Sequence, residues 1–190
     1  MVHLFSPPES TDMENPCDGG YCPAKTYTDL RSLVFGIDLS NLAQRRSDTV
    51  NRVWGVVMEA GYPQAVITLL ALADGTVSVY LSTGGGLTGL GDYEQISNAS
   101  QRLIGLAAEC TELCEAAYEF PLPQQGHTRF YLLTYLGTLA IEAAGQDLDG
   151  PPAVAPLFHR GHELLEEIRG LGERLALHRA DHPGAVGSSH

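Results

Sequence analysis

Residues 53–82, VWGVVMEAGYPQAVITLLALADGTVSVYLS, carry two charges, Glu59 and Asp74, and so poor a charge content marks strands covered on at least one face. Turn signals divide the stretch. Gly61-Tyr62-Pro63 separates VWGVVMEA from AVITLLALA, and Asp74-Gly75 separates the latter from TVSVYLS. Asp-Gly between apolar runs predicts a hairpin with a type I′ turn, whose two central residues both need positive φ. In the third run Val77, Val79 and Leu81 alternate with Ser78, Tyr80 and Ser82, so one face is expected to be buried and the other more polar. A three-stranded antiparallel meander follows.

Reading toward the C-terminus, the glycine-rich loop STGGGLTGLG (82–91) leads into an expected long helix over 92–118, with Asp92 as N-cap. Ile96, Ala99, Leu103, Leu106, Cys110, Leu113 and Ala117 form its apolar seam, and Pro121 and Pro123 close it. RFYLLTYL and TLAIEAA, joined at Leu136-Gly137, read as a second hairpin whose first strand is apolar on both faces and therefore central. A last helix over 156–178 repeats the spacing with Leu157, Gly161, Leu164, Ile168, Leu171 and Leu175.

Toward the N-terminus, Thr26 or Thr28 is expected to cap a helix through Val34, with Leu30, Leu33 and Val34 on one face and Gly36 as its stop. IDLSNLAQRRS (37–47) is read as a further helical turn. Residues 1–25 and 181–190 are too poor in branched aliphatics to offset their ordering entropy and are expected as disordered tails. The fold class expected is α+β: one domain over 26–180, a five-stranded antiparallel sheet flanked by long helices.

Of 190 residues, 44% are hydrophobic, and the formal charge is 11 − 23 = −12. That apolar content excludes a wholly disordered chain. Lys25 is the single lysine and the arginines are scattered, which argues against a nucleic-acid partner. No run of about 18 apolar residues exists to span a membrane, and the N-terminus lacks the basic and apolar regions of a signal peptide. A cytoplasmic protein is expected. The acidity is local: residues 91–120 hold six acids against Arg102 alone. Glu109, Glu112, Glu115 and Glu119 would form an acidic helix face, the expected docking surface for a basic protein partner.

Few residue patterns suggest chemistry. Ser82, Thr83, Gly84, Gly85, Gly86 and Gly89 are the candidate ligand-binding residues, because Gly84, Gly86 and Gly89 fit G-x-G-x-x-G before a helix. Their context is an antiparallel meander without a P-loop lysine, so a tight connection is the favoured alternative. Cys110 and Cys114 lie one helical turn apart, and Cys17-x4-Cys22 sits in the expected tail. Neither spacing is a zinc knuckle, so buried or idle thiols are expected, with a Cys17–Cys22 bridge open in vitro. His159 and His162 lack the H-E-x-x-H arrangement and read as a solvated helix face. Asp147 and Asp149 read as a polar turn rather than a calcium loop. His127 begins a strand with no evident partner. No catalytic residue, metal or cofactor is assigned.

The expected order of strands and helices resembles the profilin-like group that includes roadblock and longin modules, and RVWGVVMEAGYP with LADGTVSVYLSTGGG is similar to bacterial proteins without an assigned activity. The roadblock resemblance implies a noncatalytic platform that dimerises and docks partners, small GTPases among them. Roadblock proteins place two strands before their central helix and three after, the reverse of the count here, so no functional residue transfers. The first functional reading is a noncatalytic interaction or regulatory module, self-associating as a homodimer or larger homo-oligomer and docking a protein partner. Its rival is a small-molecule or nucleotide-binding enzyme using loop 82–91.

Overall fold

The computed structural model of the chain describes residues 2–5, 20–37, 53–144 and 154–181. The order is β1 (His3–Phe5), α1 (Lys25–Phe35), β2 (Val53–Gly61), β3 (Val66–Leu72), β4 (Val77–Leu81), β5 (Gly86–Thr88), α2 (Glu94–Glu109), β6 (Glu115–Ala117), β7 (His127–Thr134), β8 (Gly137–Ala144) and α3 (Ala155–Asp181). All eight strands join one antiparallel sheet in the order β1-β5-β4-β3-β2-β7-β8-β6. The expected meander is β2-β3-β4, the second hairpin is β7-β8, and β7 is indeed internal. Among the described residues no helix is long and apolar enough to cross a membrane.

The sheet is larger than the five strands expected. The additional ones, β1, β5 and β6, are three residues each, too short to show a period of two in sequence. β5 and β6 form where the longer β4 and β8 offer unpaired backbone groups, and β1 adds to β5 in turn. All three fall in stretches given other readings: β1 lies within the expected N-terminal tail, β5 within the glycine-rich loop and β6 within the expected long helix.

That helix is shorter than expected. Leu90–Asp92 form a single 3₁₀ turn, α2 then runs from Glu94 to Glu109 with Tyr93 rather than Asp92 at its cap position, and Thr111–Leu113 form a second 3₁₀ turn. Its seam is buried through Cys110, but Leu113 is 48% exposed. Beyond Cys110, Cys114 still packs on the core that α2 covers, while Ala117 packs on the opposite face of the sheet. The backbone is extended at Cys114, and Glu115–Ala117 pair with β8 instead.

One face of the sheet supports α2 and α3. Val56, Met58, Leu69, Ala71, Phe130 and Leu132 pack there against Ile96, Leu103 and Ala107 of α2 and Leu157, Leu164 and Ile168 of α3. The expected seam of α3 is buried from Leu157 to Leu171. Gly161 sits against Met58 and Phe130: a Cβ there would lie 2.5 Å from Met58 Sδ.

The opposite face carries Val57, Leu70, Tyr131 and Leu133 with Val34, Phe35, Trp54 and Phe120 packed on them. α1 covers part of it. The helix starts at Lys25, ahead of both expected caps, and Thr28 bonds its hydroxyl to the Lys25 carbonyl instead. Gly36 does end it. Its sheet-facing side is built on Tyr27 and Arg31, while Leu33 is exposed. Within the expected tail, Tyr21 is buried and donates to the Tyr62 carbonyl. The reading of 37–47 as a helical turn falls, after Ile37, outside the described residues, as does the 182–190 part of the C-terminal tail.

The Asp74-Gly75 hairpin has a different turn from the one expected. Gly75 has φ +94°, but no non-glycine among the described residues has positive φ, so Asp74 does not fit a type I′ turn. Gly75 N donates to Leu72 O and Leu72 N to Thr76 O. This is a three-residue loop closed by a left-handed glycine. The Asp74 carboxylate accepts from Thr76 N and stabilises it.

Candidate functional site

The face under α1 bears a row of polar side chains running across the strands. Register places Tyr80 of β4 beside Thr68 of β3, Thr68 beside Glu59 of β2, Glu59 beside Arg129 of β7, and Arg129 beside Glu142 of β8. Paired positions on adjacent strands project to the same face, so one register brings together residues as far apart in sequence as Glu59 and Glu142.

The inner half of the row is closed by α1. Glu59 is fully buried, and Arg31 meets it with two hydrogen bonds, Nε to Oε1 at 2.7 Å and Nη2 to Oε2 at 2.9 Å. Arg31 Nη2 also donates to the Phe120 carbonyl at 2.5 Å, and its guanidinium lies over the Phe35 ring. Thr68 and Tyr27 share a 2.7 Å hydrogen bond and both approach Glu59 Oε1. Burial, with the negative Glu59 beside it, drives the Tyr27 phenol well above its ordinary range. Burial alone would lower the Arg31 pKa, but its hydrogen bonds to Glu59 raise it further. The enclosed space between α1 and the sheet is about 10 Å³, lined by Tyr27, Arg31, Thr68 and Tyr80 among others, enough for one water at most.

The outer half is open. Arg129 pairs with Glu142 through Nε at 2.7 Å and through Nη2, and its Nη1 donates to the Pro121 carbonyl at 2.8 Å. Tyr131 donates to the same carbonyl, and burial raises its phenol. His127 Nδ1 lies 3.0 Å from Glu142 Oε1. A groove of about 720 Å³ runs above these residues, floored by Ala140, Tyr131 and the Arg129–Glu142 pair and walled by 115–119 and Pro121.

Chemically the row is saturated. Its buried carboxylate is neutralised and its arginines are committed. A His–Glu pair orients an imidazole as in nucleophilic enzymes, but among the described residues no hydroxyl or thiol is bonded to His127. The thiols of Cys110 and Cys114 are poor nucleophiles: burial, then the neighbouring Cys110, pushes Cys114 up to about 11, and burial raises Cys110. Cys22 is disulfide-bonded.

Of the candidates named from sequence, Glu115 and Glu119 line the groove and the others fall elsewhere. Gly84, Gly85 and Gly86 are buried, Thr83 is exposed, and Gly89 precedes the 3₁₀ turn with φ +72°. Ser82 is buried; its Oγ accepts from Val66 N, its N–H donates to Val66 O, and its carbonyl accepts from Ala24 N. The loop thus anchors β3 and the start of α1, and Gly86 opens β5. Glu109, Glu112, Glu115 and Glu119 are all exposed but do not share one helix face. They lie at the end of α2, in the second 3₁₀ turn, in β6 and in the segment after it. His159 is exposed, whereas His162 is half-buried with Nε2 3.2 Å from Thr128 Oγ1. Among the described residues no three His, Cys, Asp or Glu side chains are placed to hold a metal. Asp147, Asp149 and Cys17 lie outside the described residues.

The polar row was missed. Its signal was charge inside strands: Glu59, Arg129 and Glu142 interrupt otherwise apolar runs, and inward charges need partners.

No family model, curated protein or solved structure matches the chain.

Proposed function

We propose that this protein is a noncatalytic interaction module that docks a protein partner. One observation carries the reading: the charged groups of its polar row neutralise one another across the sheet, while the surface beside them is left open. An active site needs acids, bases or nucleophiles held for a substrate. Here Glu59 holds Arg31, and Glu142 holds Arg129 and His127. Tyr118 nearby is 89% exposed and Leu113 48%, as suits residues that meet a partner. A profilin-like relation belongs to this reading and is supported by two helices on one face of an antiparallel sheet. So does homo-oligomerisation, for which the β1 margin, paired among the described residues with β5 alone, is the support.

The test is sedimentation velocity over a range of concentrations, with cross-linking in lysate of the source cells. A saturable complex of defined stoichiometry, between copies or with another protein, is the expected result. A strict monomer that forms no complex, but gains thermal stability from a phosphate-bearing metabolite, would replace this reading with a ligand-binding one; a ligand at 100 times its Kd adds about 2.7 kcal/mol.

A further inference from the structure

The last strand of the sheet order, β6, pairs with β8 on one side only among the described residues. Glu115 and Ala116 are exposed, so the outer edge faces water. Edges of this kind are commonly blunted by shortness, charge, proline or a bulge, and β6 is three residues long with Glu115 as its one charge. β6 has neither lysine nor proline, and its register with β8 is unbroken. The extended backbone at Cys114, φ −100° and ψ 151°, lengthens the template. Beside it lies the 720 Å³ groove.

The charge of this margin selects an occupant. Glu115, Glu119 and Glu142 line the groove with Arg129 as the one base, and Arg129 is already paired with Glu142. Glu109 and Glu112 are exposed in the segment that leads into β6. A second copy of the chain is a poor occupant: two β6 edges paired about a two-fold axis would bring Glu112, Glu115 and Glu119 of both copies together, and like charges across strands are unfavourable. A basic strand has the opposite sign.

We propose that the free edge of β6 and the adjoining groove bind an extended lysine- or arginine-bearing segment of a partner protein, which adds a strand to the sheet and sets its basic side chains against Glu115, Glu119 and Glu142. The backbone supplies the ladder and the carboxylates supply the selection, the division of labour in strand addition. Leu113 and Tyr118 give the segment apolar contact at either end of β6. This inference rests on the docking reading and gives that reading a site and a chemistry.

The probe is a fluorescent ten-residue peptide alternating lysine and valine, titrated by anisotropy at low and physiological salt. The edge should bind it saturably. Glu115→Lys/Glu119→Lys should weaken binding about tenfold, while Glu163→Lys/Glu173→Lys, an equal charge change on exposed positions of α3, should change it less than about twofold. N-methylation separates strand pairing from mere attraction without altering the protein. Methylating alternate peptide nitrogens in one phase should abolish binding, and methylation in the other phase should leave it intact. Binding insensitive to both phases, or equally weakened by the α3 variant, overturns the assignment. So does amide protection at 115–117 that grows with protein concentration without peptide, because the edge then belongs to a second copy. If no basic peptide binds but cross-linking still yields a defined complex, this inference fails and the docking reading stands.

Discussion

A carboxylate withdrawn from water costs several kcal/mol unless it is paired and hydrogen-bonded, and Glu59 shows what the chain provides to meet that cost. Arg31, Tyr27 and Thr68 approach it from α1 and β3. Removing one partner leaves the other uncompensated, so Arg31→Ala should destabilise the protein by about 3–5 kcal/mol. Replacing both, Arg31→Met/Glu59→Leu, should recover most of that loss, since an apolar pair of similar volume is often neutral. Urea denaturation of the two variants decides it; a double variant no more stable than the single would show that packing, not uncompensated charge, sets the cost. His162 makes a second case. Burial, and then His159, lower its pKa, so the unfolded chain binds more protons than the folded one between the folded value and about 6.5. Its contribution to stability is therefore full above about pH 6.5 and falls as pH drops through that window. The stability of His162→Gln should lack this component of the pH slope; an unchanged slope would assign it to other groups.

At the scale of elements, long strands with turn signals were legible and short strands were not. β2, β3, β4, β7 and β8 announce themselves because five to nine residues suffice to show apolar content bounded by Gly, Pro or Asp. Gly86–Thr88 and Glu115–Ala117 do not; their strand character comes from the strands they pair with, at Val79 and Tyr80 for one and at Thr138–Ala140 for the other. The polar row depends on register in the same way: Arg129 and Glu142 are single charges in separate apolar runs, and only strand pairing sets Arg129 between Glu59 and Glu142. Gly161, by contrast, was placed correctly in the seam of α3, where the sheet needs its missing side chain. Gly161→Ala should gain up to about 1 kcal/mol of helix propensity but lose about 1–3 kcal/mol to the clash with Met58 and Phe130. A net loss is expected in chemical denaturation. Met58→Ala in the same chain should reduce the penalty of the added methyl, a coupling that distant sites would not show; strict additivity would place the strain elsewhere.

Over the whole molecule the two faces of the sheet have different work. One is sealed by α2 and α3 with an apolar core, and the other is covered in part by α1 and carries the polar row toward the open margin. Charge follows the same division. The described surface ion pairs sit largely on helices, Lys25–Asp29 on α1 and Arg160–Glu163, Arg169–Glu166 and Arg169–Glu173 on α3, whereas Glu109, Glu112, Glu115 and Glu119 crowd the route to β6. Exposed pairs are worth little, and with 23 acids against 11 bases repulsion between like charges should outweigh them. Raising sodium chloride from 10 to 150 mM shortens the screening length from about 30 to about 8 Å. If that relieves about 1 kcal/mol of repulsion, the melting temperature rises by about 2–4 °C for a chain of this size. The rise should shrink in Glu115→Lys/Glu119→Lys and disappear near pH 4.8, where the net charge vanishes. A melting temperature that falls with salt at neutral pH would mean that the paired charges of α1, α3 and the polar row outweigh the acidic margin, and that the margin carries less repulsion than selection of a basic partner requires.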